Sequence, residues 1–88
     1  MSPQPELKPG DLIEITGSYP VPAVVASTAF EDTYEVVYFD ETGSPVVEEV
    51  QWVDGVWRFL HLTPRRIQAG NQERYQPFVS LLKGKHSA

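Results

Sequence analysis

The dipeptide Asp54-Gly55 constrains the fold of this chain more than any other feature of its sequence. It lies between two apolar, β-prone runs, and Asp-Gly is a strong signal for a two-residue type I′ turn, in which both residues adopt a positive φ. Such a turn fixes four cross-strand pairs, which are Val53–Val56, Trp52–Trp57, Gln51–Arg58 and Val50–Phe59. Because directly opposite residues share a face, both tryptophans fall on one apolar side of the hairpin.

This tryptophan face has two interpretations. In the first, Val50, Trp52, Trp57 and Phe59 fill the hydrophobic core, where an edge-to-face tryptophan pair would add about 0.5–1.5 kcal/mol beyond its burial. In the second, the tryptophans lie on the outside as a platform for a peptide. We expect the first arrangement, and the stability of a Trp57→Ala variant separates the two.

Short apolar runs separated by turn residues predict five strands. The runs cover residues 12–16, 21–27, 34–39, 46–53 and 56–60. Side chains alternate across a strand, so one of the neighbours Tyr38 and Phe39 must point inward and the other outward. Short strands joined by tight turns favour a closed barrel, because closure removes the exposed edges of a flat sheet.

The pattern changes to helical after residue 62. Thr63-Pro64 is typical of a helix start and predicts a helical turn through Ile67. One apolar face at helical spacing follows, formed by Tyr75, Phe78, Val79 and Leu82. Pro77 leaves open whether a helix begins there or a longer helix is kinked. We expect this segment to dock on the barrel, either plugging an open end or covering an edge.

Residues 8–62 resemble SH3-like barrels of the Tudor type. The resemblance rests on three strand motifs, which are Pro9-Gly10-Asp11-Leu12-Ile13-Glu14-Ile15, Pro22-Ala23-Val24-Val25 and Tyr34-Glu35-Val36-Val37-Tyr38-Phe39-Asp40. Such domains commonly carry an aromatic residue just before Pro-Ala as part of a cage for methylated side chains. Val21 stands at that position here, and Tyr19, two residues earlier, is the candidate substitute.

We therefore predict an all-β fold, a small SH3-like five-stranded barrel with a short C-terminal helical segment. Residues 1–7 would form a disordered lead-in, 8–62 the barrel, 63–84 the helical segment packed on it and 85–88 a tail. The chain has 88 residues, enough for one domain with a modest core.

Composition and charge narrow the possible partners. The chain has no cysteine, which excludes disulfides and thiolate metal sites and fits a reducing cytoplasm, our expected location. No apolar run approaches the roughly 20 residues of a membrane span, so we expect no membrane partner.

Residues 1–57 hold eleven acidic residues and one lysine (net −10), whereas residues 58–88 hold six basic residues and one glutamate (net +5). We expect the basic segment to pack beside the acidic sheet, in the same molecule or in a neighbour.

The candidate binding residues are Tyr19, Tyr38, Asp40 and Glu41, which share one predicted loop end of the barrel. An aromatic floor with an acidic rim suits a basic or proline-rich peptide. The sequence thus predicts a non-enzymatic protein-interaction module, or a small subunit of a complex, that binds a peptide or protein surface and needs no cofactor.

Two alternatives stay open. Nucleic acid would be bound through the basic segment, with Arg58, Arg65, Arg66 and Arg74 as anion or RNA contacts. A small enzyme or metal site would centre on His61, which faces Glu48 if the hairpin register continues. Adjacent strand residues point to opposite faces, so only one of Glu48 and Glu49 can join His61, and a metal would lack ligands.

Overall fold

A computed structural model describes residues 5–17, 20–30, 32–61 and 63–87 of the chain. Its elements are strands β1 (Leu12–Ile15), β2 (Val21–Phe30), β3 (Thr33–Phe39), β4 (Pro45–Val53), β5 (Val56–Phe59) and β6 (Arg65–Arg66), a 3-10 turn (Ala69–Asn71) and helix α1 (Gln72–Ser87). The first five strands lie within one residue of their predicted bounds, except that β2 continues three residues further.

Strands β1 to β5 close into a barrel. Neighbours in sequence pair antiparallel around the sheet, and a parallel bridge from Ile15 of β1 to Trp57 of β5 completes the ring. The N–H of Thr16 donates to the Trp57 carbonyl at 2.9 Å and extends this junction. The predicted all-β fold is confirmed, and the arrangement is compatible with an SH3-like barrel.

The β4–β5 hairpin has the predicted register. Its pairs are Val50–Phe59, Gln51–Arg58, Trp52–Trp57 and Val53–Val56. Asp54 and Gly55 have φ values of 52° and 84°, as a type I′ turn requires. The Trp57 side chain is only 6% exposed, and its ring centroid lies 5.0 Å from that of Trp52 at an interplanar angle of 63°. The tryptophan face therefore looks into the barrel.

Two apolar cores lie on the two sides of the sheet. The barrel interior is filled by Ile15, Ala23, Val25, Tyr34, Val36, Val50 and Trp57. The outer core consists of Ala26, Val37, Val47, Tyr75 and Val79. Tyr38 packs against the interior core and Phe39 against the outer one, as alternation across a strand predicts.

Helix α1 covers the outer face of β2 and β3. This corrects the expectation that the helix plugs an end or covers an edge. Its apolar face is the predicted one: Tyr75, Val79 and Leu82 are buried and Phe78 is half-buried. The helix is continuous through Pro77, which removes one N–H donor but lies on the exposed side.

The prediction of a helical turn after Pro64 is wrong. Arg65 and Arg66 form β6, which pairs with Val47 and Val46 of β4. Strand β5 occupies this edge of β4 only from Val50 onward, so the backbone groups before it need partners. Ladder hydrogen bonds satisfy these groups, whereas a single isolated helical turn has a costly nucleus.

The described residues before β1 also contact the barrel. Leu7 packs against the interior core, and its backbone N–H donates to the Tyr34 hydroxyl at 3.2 Å. At the other end, α1 continues to Ser87.

Candidate functional site

A groove of about 660 Å³ opens at one end of the barrel. It lies where β2 begins, where β3 turns into β4 and where β5 ends, and α1 supplies one wall. The apolar lining consists of Pro20, Val21, Pro22, Tyr38, Phe39, Phe59, Pro64 and Leu82, and the polar lining of Asp40, Glu41 and Thr42. The surface is thus mostly apolar, with carboxylates on one side.

The groove brings together three of the four predicted binding residues, Tyr38, Asp40 and Glu41. Tyr19 lies outside the described residues. Sequence reasoning missed Phe59, Pro64 and Leu82, which come from segments distant along the chain. Only the period-2 and helical patterns hinted that Phe59 and Leu82 are apolar contact residues, and neither pattern indicates that they meet.

The floor of the groove is a rigid aromatic pair. The ring centroids of Tyr38 and Phe59 are 5.0 Å apart, with the planes inclined by 39°. Both rings also pack against the interior core, so the barrel fixes their positions. A ligand that packs on this pair would not have to order the side chains first, which lowers the entropic cost of binding.

Asp40 is held by the turn between β3 and β4. Its Oδ1 accepts from the Thr42 N–H at 2.9 Å, from the Thr42 hydroxyl at 2.6 Å and from the Ser44 N–H at 3.0 Å. The bond from the Thr42 hydroxyl, followed by that from Ser44, lowers the pKa of Asp40, and Arg66 adds a weak attraction. Asp40 therefore carries a negative charge at neutral pH. Within the described part of the chain these bonds all end on Oδ1, which leaves Oδ2 for a ligand.

Two arginines of the alternative basic surface meet at one carboxylate, that of Glu35. Arg65 lies 3.7 Å from a Glu35 carboxylate oxygen and 3.8 Å from one of Glu49, and Arg74 lies 3.7 Å from Glu35. Arg58 and Arg66 are exposed on β5 and β6. Two of the four guanidinium groups are thus paired with the acidic sheet of the same molecule, as the charge asymmetry predicts.

Glu35 connects the helix to the barrel. Its Oε1 accepts from the Ser27 hydroxyl at 3.1 Å and from the Tyr75 hydroxyl at 3.0 Å, beside the two arginine pairs. Burial raises the pKa of Tyr75, and the hydrogen bond to Glu35 raises it further. This cluster fixes α1, and with it the Leu82 wall of the groove.

We expect Tyr75→Phe to lower the free energy of unfolding by about 1–2 kcal/mol, because it removes a hydrogen bond to a charged group. Urea denaturation measures this loss. In the Tyr75→Phe background, Glu35→Gln should cost less than it does alone, since the two residues act on one bond. Strictly additive losses would contradict a direct Tyr75–Glu35 interaction.

Glu48 and His61 do not form the predicted cross-strand pair. Strand β5 ends at Phe59, the N–H of Leu60 donates to the Glu49 carbonyl at 2.9 Å, and His61 lies in an exposed bend. The ladder stops there because the chain turns away toward β6. His61 acts on Glu48 only as an electrostatic attraction that lowers its pKa, a smaller effect than burial, which raises it.

Glu48 itself lies inside the barrel, opposite Val36 of β3, and is 2% exposed. Its Oε1 accepts from the Glu49 N–H at 2.9 Å, and its Oε2 has no hydrogen-bond partner among the described residues. Glu49 points to the opposite side and meets Arg65, as alternation predicts. Across the described ranges, no three histidine, aspartate or glutamate side chains are grouped to hold a metal ion.

Comparisons with known proteins identify no relative of this chain. No protein-family model matches the chain, and neither curated proteins nor solved structures give a significant match. Among the helices that the structure describes, none is long and apolar enough to cross a membrane.

Proposed function

We propose that this protein is a non-enzymatic interaction module, or a small subunit of a complex, that binds a short basic peptide with apolar side chains in the groove. One observation carries the proposal: a mostly apolar groove with carboxylates at its rim unites Tyr38, Asp40 and Glu41. The same residues are predicted as binding residues from their sequence positions alone.

The apolar lining supports a ligand with apolar side chains. The volume of about 660 Å³ lies within the roughly 300–1,000 Å³ of typical ligand sites. An extended peptide that places one or two apolar side chains on Tyr38 and Phe59 would remove these rings from water. Burial of such aromatic surface supplies most of the free energy of compact interfaces.

The charges support a basic ligand. Asp40 and Glu41 lie at the rim, and the whole chain has a net charge of −5. A cationic peptide would be attracted from a distance and held by the rim carboxylates. An acidic partner would meet repulsion at the same place.

The Tudor-type resemblance supports the same groove as the binding site, but the residues of this chain favour a ligand other than a methylated side chain. The residue before Pro-Ala, an aromatic cage position in that family, is Val21 here, and Val21 lines the groove. An aliphatic side chain offers no π-face to a methylated ammonium group. We therefore propose an apolar ligand side chain beside Val21, with the cationic group at Asp40 and Glu41.

The proposal is tested by fluorescence anisotropy with a labelled peptide that alternates arginine or lysine with leucine and proline. We expect a Kd in the micromolar range, and much weaker binding of a matched peptide with glutamate in place of the basic residues. Glu41→Lys should weaken binding of the basic peptide about tenfold, because it reverses a rim charge. Glu6→Lys makes the same charge change on an exposed residue outside the groove and should leave the Kd nearly unchanged.

Three outcomes would contradict the proposal. Equal binding of the basic and acidic peptides would mean that the rim does not select charge. Equal effects of the two lysine variants would mean that the peptide responds to net charge alone. Binding of a labelled RNA with a steep salt dependence, abolished by Arg58→Ala and Arg66→Ala, would favour the nucleic-acid alternative instead.

A further inference from the structure

Glu48 places a carboxyl group among the apolar side chains of the barrel interior. Glu48 is 2% exposed, it faces Val36 across the β3–β4 ladder, and its Oε2 has no hydrogen-bond partner in the described chain. Its Oε1 accepts a hydrogen bond from the backbone N–H of its own neighbour, Glu49. Burial of a carboxylate oxygen without a hydrogen-bond partner costs free energy. Ionised Glu48 therefore needs a hydrogen-bond donor from a nearby residue.

The charged groups that act on Glu48 come from three places. Glu49 is on its own strand, Arg65 is on β6 and His61 is in the bend after β5, whereas the cross-strand neighbour on β3 is the apolar Val36. Arg65 is held by the ladder with Val47 and by its pairs with Glu35 and Glu49. His61 is exposed and lies in the bend after β5, outside the ladder, so it is the candidate donor.

His61 belongs to the part of the chain that shapes the groove. Phe59, two residues before it, and Pro64, three residues after it, both line the groove. A displacement of His61 toward the barrel interior therefore changes the spacing of two groove residues.

We propose that Glu48 is an internal protonation switch: when its carboxyl group ionises, an imidazole N–H of His61 swings in to donate to Oε2, and the Pro64 side of the groove wall moves with it relative to Phe59. The neutral acid makes no such demand, and His61 stays in its exposed bend. Burial raises the pKa of Glu48, so the transition falls above the pH at which an ordinary glutamate ionises. The movement belongs to the ligand-free chain, and only its effect on peptide affinity rests on the proposed function.

The experiment is an NMR pH titration of the ligand-free, isotope-labelled protein. We expect the amide signals of Phe59 and Thr63 to shift with the same midpoint as the side-chain Cδ signal of Glu48, above the pH at which an ordinary glutamate ionises. Glu48→Gln should abolish this shared transition. Glu49→Gln, a change in the adjacent carboxylate on the opposite face, should preserve it. In His61→Gln, the Glu48 signal should still titrate while the shifts at Phe59 and Thr63 become smaller.

The titration of the wild-type protein tests the protonation switch even if a variant fails to fold. A Cδ signal of Glu48 that titrates without any response at Phe59 and Thr63 would overturn the switch. So would a groove-wall transition that persists in Glu48→Gln, since another group would then cause it. Absence of peptide binding at every pH, with the shared midpoint intact, would reject the proposed function and leave the switch standing.

Discussion

Trp57→Ala is expected to lower the free energy of unfolding by about 3–5 kcal/mol, the usual cost of removing a large aromatic side chain from a core. The Trp57 side chain is 6% exposed and forms edge-to-face contacts with Tyr34 at 5.6 Å and with Trp52 at 5.0 Å. Trp57 also stands at the bridge that closes β5 against β1, so the cavity would lie at the seam of the barrel. Urea denaturation monitored by circular dichroism measures the loss.

A matched control is Leu60→Ala, three residues further along at an exposed position, which should change stability by no more than about 0.5 kcal/mol. Trp52→Ala should cost less than Trp57→Ala because Trp52 is only half-buried. A double-mutant cycle should give a coupling of about 0.5–1.5 kcal/mol for the ring pair. Unchanged stability in Trp57→Ala would instead support an exposed tryptophan platform.

Glu48→Gln is expected to raise the free energy of unfolding by about 1–3 kcal/mol near pH 7, because it replaces an ionisable group in an apolar interior with a neutral group of the same shape. The folded-state pKa of Glu48 is raised above its unfolded value, since burial penalises the carboxylate. Glu48 therefore lowers the free energy of unfolding least below its unfolded-state pKa, where its carboxyl group is neutral in both states. The wild type then loses stability as the pH rises through the folded-state pKa of Glu48. The gain from Glu48→Gln should thus grow with pH.

Denaturation curves at about pH 4 and about pH 8 measure this dependence. The free energy of unfolding of the wild type is subtracted from that of the variant at each pH, so that the effects of carboxylates common to both chains cancel. Glu49→Gln is the control, since Glu49 lies on the other face beside Arg65 and should show a small loss or no change. A gain from Glu48→Gln that is equal at both pH values would contradict a carboxyl group with a raised pKa.

The hairpin shows how far sequence reasoning reaches. Asp54-Gly55 admits few backbone conformations, so one dipeptide predicts a turn, a register and the shared face of Trp52 and Trp57, all of which the structure contains. The helical face from Tyr75 to Leu82 is predicted equally well, because its apolar spacing matches the helical period.

The same reasoning failed where a local preference competes with a distant partner. Thr63-Pro64 favours a helical start, but Arg65 and Arg66 lie beside an unoccupied stretch of β4 and form a strand. Glu48 continues the inward alternation of Val50 and Trp52, yet a glutamate at that position suggests a half-exposed cross-strand pair with His61. Neither the available edge nor the burial of Glu48 is visible until the barrel is closed.

The sequence by itself determined the elements of this protein: five strands, the β4–β5 register, the shared face of Trp52 and Trp57 and the apolar face of the helix. Each depends on residues within a few positions of one another, where turn chemistry and side-chain period act directly. Only the tertiary structure decided that α1 lies across β2 and β3, that Glu48 is enclosed and that Phe59, Pro64 and Leu82 meet Tyr38 and Asp40 in one groove. These contacts join segments far apart in the chain, and their geometry follows from barrel closure and helix docking, which no local pattern records.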